Sequence, residues 1–146
     1  MVTKYFFVLF FGALLLSGCS KNDLEYNTSK ICFGEDCLEV ELAETEKQQK
    51  RGLMGRNHLA EHEGMFFVFG EDGYHSIWMK GMFIPLDVLW LDKNLSVVAM
   101  VQNFEPCEVR ECPKANPDNE ARYVLELQSG YIQEHEIEFG DVGTLK

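Results

Sequence analysis

The chain has no excess of positive charge. Its 146 residues carry 13 Lys+Arg against 24 Asp+Glu, a net charge of −11 at pH 7. That balance argues against nucleic-acid binding and against lying flat on an anionic bilayer. Also missing is an apolar run of the roughly 20 residues a membrane-spanning helix requires; the longest, Tyr5 to Leu16, falls short. No G-x-S-x-G elbow is present, so a nucleophilic-serine hydrolase of that type is excluded. No compact His-x-Met array occurs, and Met79-x-x-Met82 is the only Met-x-x-Met pair. Internal repeats and low-complexity segments are absent. Prolines number four, and three of them (Pro106, Pro113, Pro117) fall in one stretch, 103–121. That stretch reads as a long loop.

The most informative segment that is present lies at the start. Lys4 precedes the apolar run, and Ser17-Gly18 precede Cys19. A basic end, a short apolar core and small residues before a cysteine form a secretory signal ending at a lipidation site. Residues 1–18 are therefore expected to be a lipoprotein signal peptide, with Cys19 carrying acyl chains such as palmitate. Residues 19–29, polar and without periodicity, are expected to be the tether. A lipid-anchored location in the cell envelope follows. Ser20 rather than aspartate after the cysteine points to the outer membrane facing the periplasm.

Beyond Cys19 about 127 residues remain. They suit a single domain, 30–146, able to bury a real core. The other four cysteines, Cys32, Cys37, Cys107 and Cys112, form two C-x4-C pairs. In an exported chain they read as disulfides. The turn Phe33-Gly34-Glu35-Asp36 brings Cys32 and Cys37 within bonding reach, and Cys107 with Cys112 closes a similar loop; crossed pairings remain open. A zinc site is disfavoured, because the spacing is long and no histidine is near.

Alternating apolar positions and turn residues predict short strands at 31–33, 37–42, 65–69, 74–79, 86–91, 95–101, 123–127 and 137–139. Thr45 with Gln48 forms a capping-box pattern opening a short helix from Glu46 to Leu53, with Gly55 ending it. A brief helical stretch follows Ser129-Gly130. The fold class is mainly β (α+β): a compact antiparallel sheet or small barrel with one short N-terminal helix.

Asp87 lies in the apolar run Ile84-Pro85-Leu86-Asp87-Val88-Leu89-Trp90-Leu91. A run of this kind implies burial on both faces, and a buried carboxylate requires partners. Arg51 and Arg56 at the end of the short helix are the candidates. The pair is read either as a structural bridge or as part of a ligand site that also uses Lys80 and Trp78. Met54, Met65, Met79 and Met82, near His58, His75 and Trp78, offer a possible Cu(I) site against the plainer reading of core filling. His62 and His135 read as solvated.

Several of these residues carry a family resemblance. Arg51-Gly52-Leu53-Met54-Gly55-Arg56, Gly64-Met65-Phe66-Phe67-Val68-Phe69, Trp78-Met79-Lys80, Ile84-Pro85-Leu86-Asp87 and Tyr123-Val124-Leu125-Glu126-Leu127, with Gly130, Gly140 and Asp141, resemble the domain of unknown function 192 family, in order from about Val40 to Val142. Pro106-Cys107 and Cys112-Pro113 match its lipoprotein-type members. Where the family commonly has an Asn-Thr pair, this chain has Gly81-Met82. The resemblance implies a compact, mainly β fold and brings no established activity.

The functional expectation is a non-enzymatic envelope domain that binds a small molecule or another envelope protein, without a catalytic set, cofactor or metal and without nucleic acid. The alternatives are a hydrolase using Asp87 or Glu126 with a histidine, and a copper-binding protein.

Overall fold

The computed structural model describes residues 24–146. The expected signal peptide, Cys19 and residues 20–23 of the expected tether lie outside the described residues. The first strand, β1 (Asn27–Phe33), takes in the last residues expected in the tether. It turns at Gly34 into β2 (Asp36–Ala43) in an antiparallel hairpin that sets Cys32 directly opposite Cys37. Gly34 sits at φ +61°, a left-handed conformation glycine adopts without strain.

The helix α1 (Glu46–Arg51) opens with the expected capping box: Thr45 Oγ1 accepts the Gln48 amide, and Gln48 Oε1 accepts the Thr45 amide at 2.8 Å. It stops at Gly52, not at Gly55, because Gly52 leaves helical geometry (φ +47°, ψ −143°) while its amide bonds the Gln48 carbonyl. The chain then forms β3 (Glu63–Gly73), β4 (Ile77–Trp78), β5 (Leu86–Leu91), β6 (Val97–Phe104), β7 (Lys114–Ala115), β8 (Ala121–Gln128), α2 (Tyr131–Glu134) and β9 (Gly143–Leu145).

Seven strands form one curled, half-barrel sheet in the order β6-β5-β8-β3-β2-β1-β9; β4 and β7 form a separate two-stranded flap. The sheet is antiparallel except for the β2–β3 pair, which is parallel. The residues between those two strands include α1, a crossover element of the kind parallel strands require. The segment leading into β9 bridges towards the opposite edge. Val97 N donates to Asp141 O at 2.8 Å, and Gly143 N donates to Leu95 O at 2.9 Å. Residues 137–139 are not a strand: the Ile137 amide is spent on Ile132 O at the end of α2, and Ile137 packs into the core.

Period two along the strands sorts the core onto two faces. Phe66, Leu89, Leu91, Leu125 and Leu127 pack with Ile31, Val40, Tyr131 and Ile132. Met65, Phe67, Val88, Trp90 and Val124 face the other way and pack with Leu53, Ile77, Met79 and Met82. Every residue of β5 is buried, as its apolar run implies. Each fully buried large apolar side chain stabilises the fold by about 1.5–3 kcal/mol. The polar end of Trp90 is accommodated as well: its indole N–H donates to His75 O at 2.7 Å.

Candidate functional site

Asp87 is fully buried, and its partners are backbone amides rather than arginine. Oδ1 accepts Asn103 N at 2.8 Å; Oδ2 accepts Gly130 N at 3.1 Å and Ile132 N at 2.9 Å. The carboxylate thus meets the otherwise orphaned amides at the start of α2 and the left-handed turn at Asn103. It lies on the opposite face of β5 from Val88 and Trp90, away from α1. Arg56 pairs instead with Glu41. Lys80 is exposed and contributes a backbone bridge to Cys107. Arg51 and Trp78 do come together, at a cavity that contains neither Asp87 nor Lys80.

That cavity measures about 210 Å³ and lies between the end of α1, β3, the flap strand β4 and β8. Its carboxylate is Glu126, at the middle of β8 between Met65 of β3 and Val88 of β5. Glu126 is 5% exposed, and its Oε2 has no hydrogen-bond partner among the described residues. Burial pushes its pKa up to about 8, against the opposing pull of Arg56. Near neutrality the group is mostly a neutral acid, able to donate as well as accept. Gly52 keeps the approach open: a Cβ there would sit 3.4 Å from Phe67 and 3.9 Å from Oε2.

The walls combine Phe67, Phe69, Ile77 and Trp78 with Lys50 and Arg51. Met82 is part of the lining. It stands where the resembled family commonly has threonine, so a hydroxyl is replaced by a thioether. Gly81, at φ +71°, fits the preceding position, since glycine and asparagine both accept that backbone.

Lys50, Arg51, Gly52 and Met54 also border a wider groove of about 760 Å³ on the other side of α1. There Lys47 and Arg56 join them, and Tyr26 contributes a buried hydroxyl with no partner among the described residues. Burial, followed by the charge of Glu41, raises the Tyr26 pKa. Four cations around one groove contrast with a chain of net charge −11.

The other expected residues fall as follows. The disulfides are Cys32–Cys37 and Cys107–Cys112. Met65, Met79 and Met82 are buried in the core, with Met54 packed against it. His75 stacks on Phe69 with ring centroids 3.7 Å apart, and none of the four histidines lines the Glu126 cavity. His135 is not solvated: its ring stacks on Tyr131, and Nδ1 lies 3.2 Å from Asp36 Oδ2. Glu126 could have been read as buried on the same grounds as Asp87, a lone charge inside the apolar strand Tyr123-Val124-Leu125-Glu126-Leu127. No sequence signal joins it to Arg51 or Trp78.

A curled, mainly β domain with a buried acid in an open-sided cavity defines the class of this protein. The chain belongs to the DUF192 family, described as an uncharacterized ACR, whose match covers residues 30–144. Two solved structures share the fold. One is a candidate transcription regulator from Sinorhizobium meliloti 1021, 27% identical, TM-score 0.75, covering 84% of this chain and 97% of that one. The other is a protein of unknown function from Novosphingobium aromaticivorans DSM 12444, 24% identical, TM-score 0.72, covering 86% and 89%. No protein with a curated description matches the chain.

Proposed function

We propose that the domain binds a small amphoteric molecule in the Glu126 cavity and works as the globular part of an envelope lipoprotein. The observation that carries the binding reading is the unpartnered, buried Oε2 of Glu126 facing a cavity. A buried polar atom without a partner costs about 1–3 kcal/mol, which a ligand's N–H or O–H donor recovers. Lys50 and Arg51, shared with the cationic groove, suit a carboxylate or phosphate on the same ligand. Phe67, Ile77 and Trp78 supply apolar contact. Hydrolysis is the second reading, favoured by the raised pKa of Glu126 alone, for among the described residues no histidine and no second carboxylate lines the cavity. Binding to DNA is disfavoured, because the acidity of this chain opposes DNA phosphates.

The test is calorimetric titration with glycine, lysine and glucosamine 6-phosphate, repeated on Glu126→Gln and Arg51→Ala. Saturable binding of one probe, weakened at least about tenfold in both variants, is expected. Failure of all three probes, or binding indifferent to both substitutions, overturns the reading. The envelope assignment rests on the signal ending at Cys19 and on the paired cysteines. Metabolic labelling with a palmitate analogue, abolished by Cys19→Ala, checks it; an unlabelled native chain refutes it.

A further inference from the structure

Three chain segments converge on one histidine. Glu61 comes from the loop before β3, while Glu134 and His135 close α2. One ligand atom from each lies within 4.8 Å of the others. Asp36, at the start of β2, holds the His135 ring through Nδ1. That leaves Nε2 as the free ring nitrogen, and it is buried with no partner among the described residues.

A second, independent feature points the same way. Tyr131 is 3% exposed, stacks on the His135 ring with centroids 3.9 Å apart, and its hydroxyl has no partner among the described residues. Asp36, Glu61 and Glu134 thus gather about His135, and none of the three is paired with a lysine or arginine among the described residues. Like charges gathered without a counter-charge repel one another.

We propose that Glu61, Glu134 and His135 bind a divalent first-row transition-metal ion of the zinc class, with Asp36 orienting the imidazole. A carboxylate on one ring nitrogen with a metal on the other is the usual outer-shell arrangement of a ligating histidine. One imidazole and two carboxylates suit zinc better than calcium, which takes oxygen ligands alone. Tetrahedral ligands at about 2.0–2.1 Å stand roughly 3.3 Å apart. Glu61 and Glu134 are exposed side chains, free to swing inward from the observed spacing. The metal would tie α2 to the loop before β3 and to the β1–β2 turn. This site shares no residue with the Glu126 cavity and is independent of the ligand reading.

The test is titration of the chelator-stripped chain with zinc chloride by calorimetry, alongside the histidine ring signals in NMR. One saturable zinc per chain is expected, with the His135 ring resonances shifting. The Glu61→Gln/Glu134→Gln double variant replaces exposed side chains and leaves the core untouched. It should weaken binding at least about tenfold, as should His135→Ala, and Asp36→Asn should weaken it by about 10- to 100-fold. Calcium chloride should give no saturable binding. Absence of a zinc site, zinc affinity unchanged in the double variant, or zinc shifting only His58, His62 or His75 overturns the proposal. Calcium binding as tight as zinc overturns the metal class.

Discussion

The Asp87 carboxylate accepts the amide of Ile132, 45 residues along the chain, at 2.9 Å. Through that bond and those to Gly130 and Asn103, one buried side chain fastens α2 and the end of β6 to β5. Replacing Asp87 by alanine orphans three amides, at about 1–3 kcal/mol each where they stay dry. Asp87→Ala is expected to lose more than about 4 kcal/mol, and Asp87→Asn less, because its amide oxygen still accepts. Urea denaturation midpoints check the order. Equal losses in the two variants would mean that these bonds do not hold α2.

Glu126 makes stability depend on pH in a definite direction. Its folded pKa is about 8, against 4.5 as the ordinary value. Below about 4.5 both folded and unfolded chains hold the proton. Between 4.5 and 8 only the folded chain holds it, so its contribution to stability falls as pH rises, by about 1.4 kcal/mol per unit, and levels off above 8. Glu126→Gln, which cannot ionise, is expected to match the wild type near pH 4.5 and exceed it by roughly 4–5 kcal/mol at pH 8. Thermal melts across this range supply the measurement. Parallel profiles for the two proteins would show that Glu126 ionises freely.

Each disulfide closes a loop with a sequence separation of only 5. Loop entropy for so short a closure is about 2 kcal/mol. Cys32 and Cys37 are already opposed in a hydrogen-bonded hairpin. Cys107 and Cys112 sit in the long loop between β6 and β7, with few other bonds. Removing the first pair is expected to lower the melting temperature with little local change. Removing the second should expose 107–113 to proteolysis, which limited digestion and mass spectrometry would locate.

Gly81 at φ +71° has Met54 Cε 2.8 Å from where a Cβ would stand. Gly81→Ala is expected to cost about 1–2 kcal/mol from the left-handed backbone. Gly81→Asn should cost less than alanine, since asparagine tolerates that conformation. Chemical denaturation of the two variants decides it; a smaller loss for alanine would put the cost in the contact with Met54 instead.

The elements that were legible from sequence are those specified within a few residues. Thr45 and Gln48 form the capping box, Gly34 makes the hairpin, and Leu86 to Leu91 is buried on both faces. What was misread depended on partners that the alternation of apolar residues does not reveal. The Ile137-Glu-Phe139 stretch alternates as a strand should, yet its first amide is taken by Ile132 O. Asp87 was legible as a buried acid, but arginine and backbone amides satisfy a carboxylate equally well, so composition does not distinguish them. Arg51 and Trp78 were singled out from the sequence, but their meeting with Glu126 at one cavity was not legible there.

The sequence by itself determined the mainly β class, the family, the acidic charge and an expected address ending at Cys19; it favoured the local cysteine pairs and left crossed pairing open, which the structure resolved. These depend on composition, period-two alternation and short spacings, which survive in a linear reading. Tertiary structure alone decided that Glu126, rather than Asp87, is the acid facing a cavity. It also brought Glu61 beside His135, 74 residues away. Strand order and the curl of the sheet set which face of β5 and β8 each side chain occupies, and those depend on pairings across the whole chain.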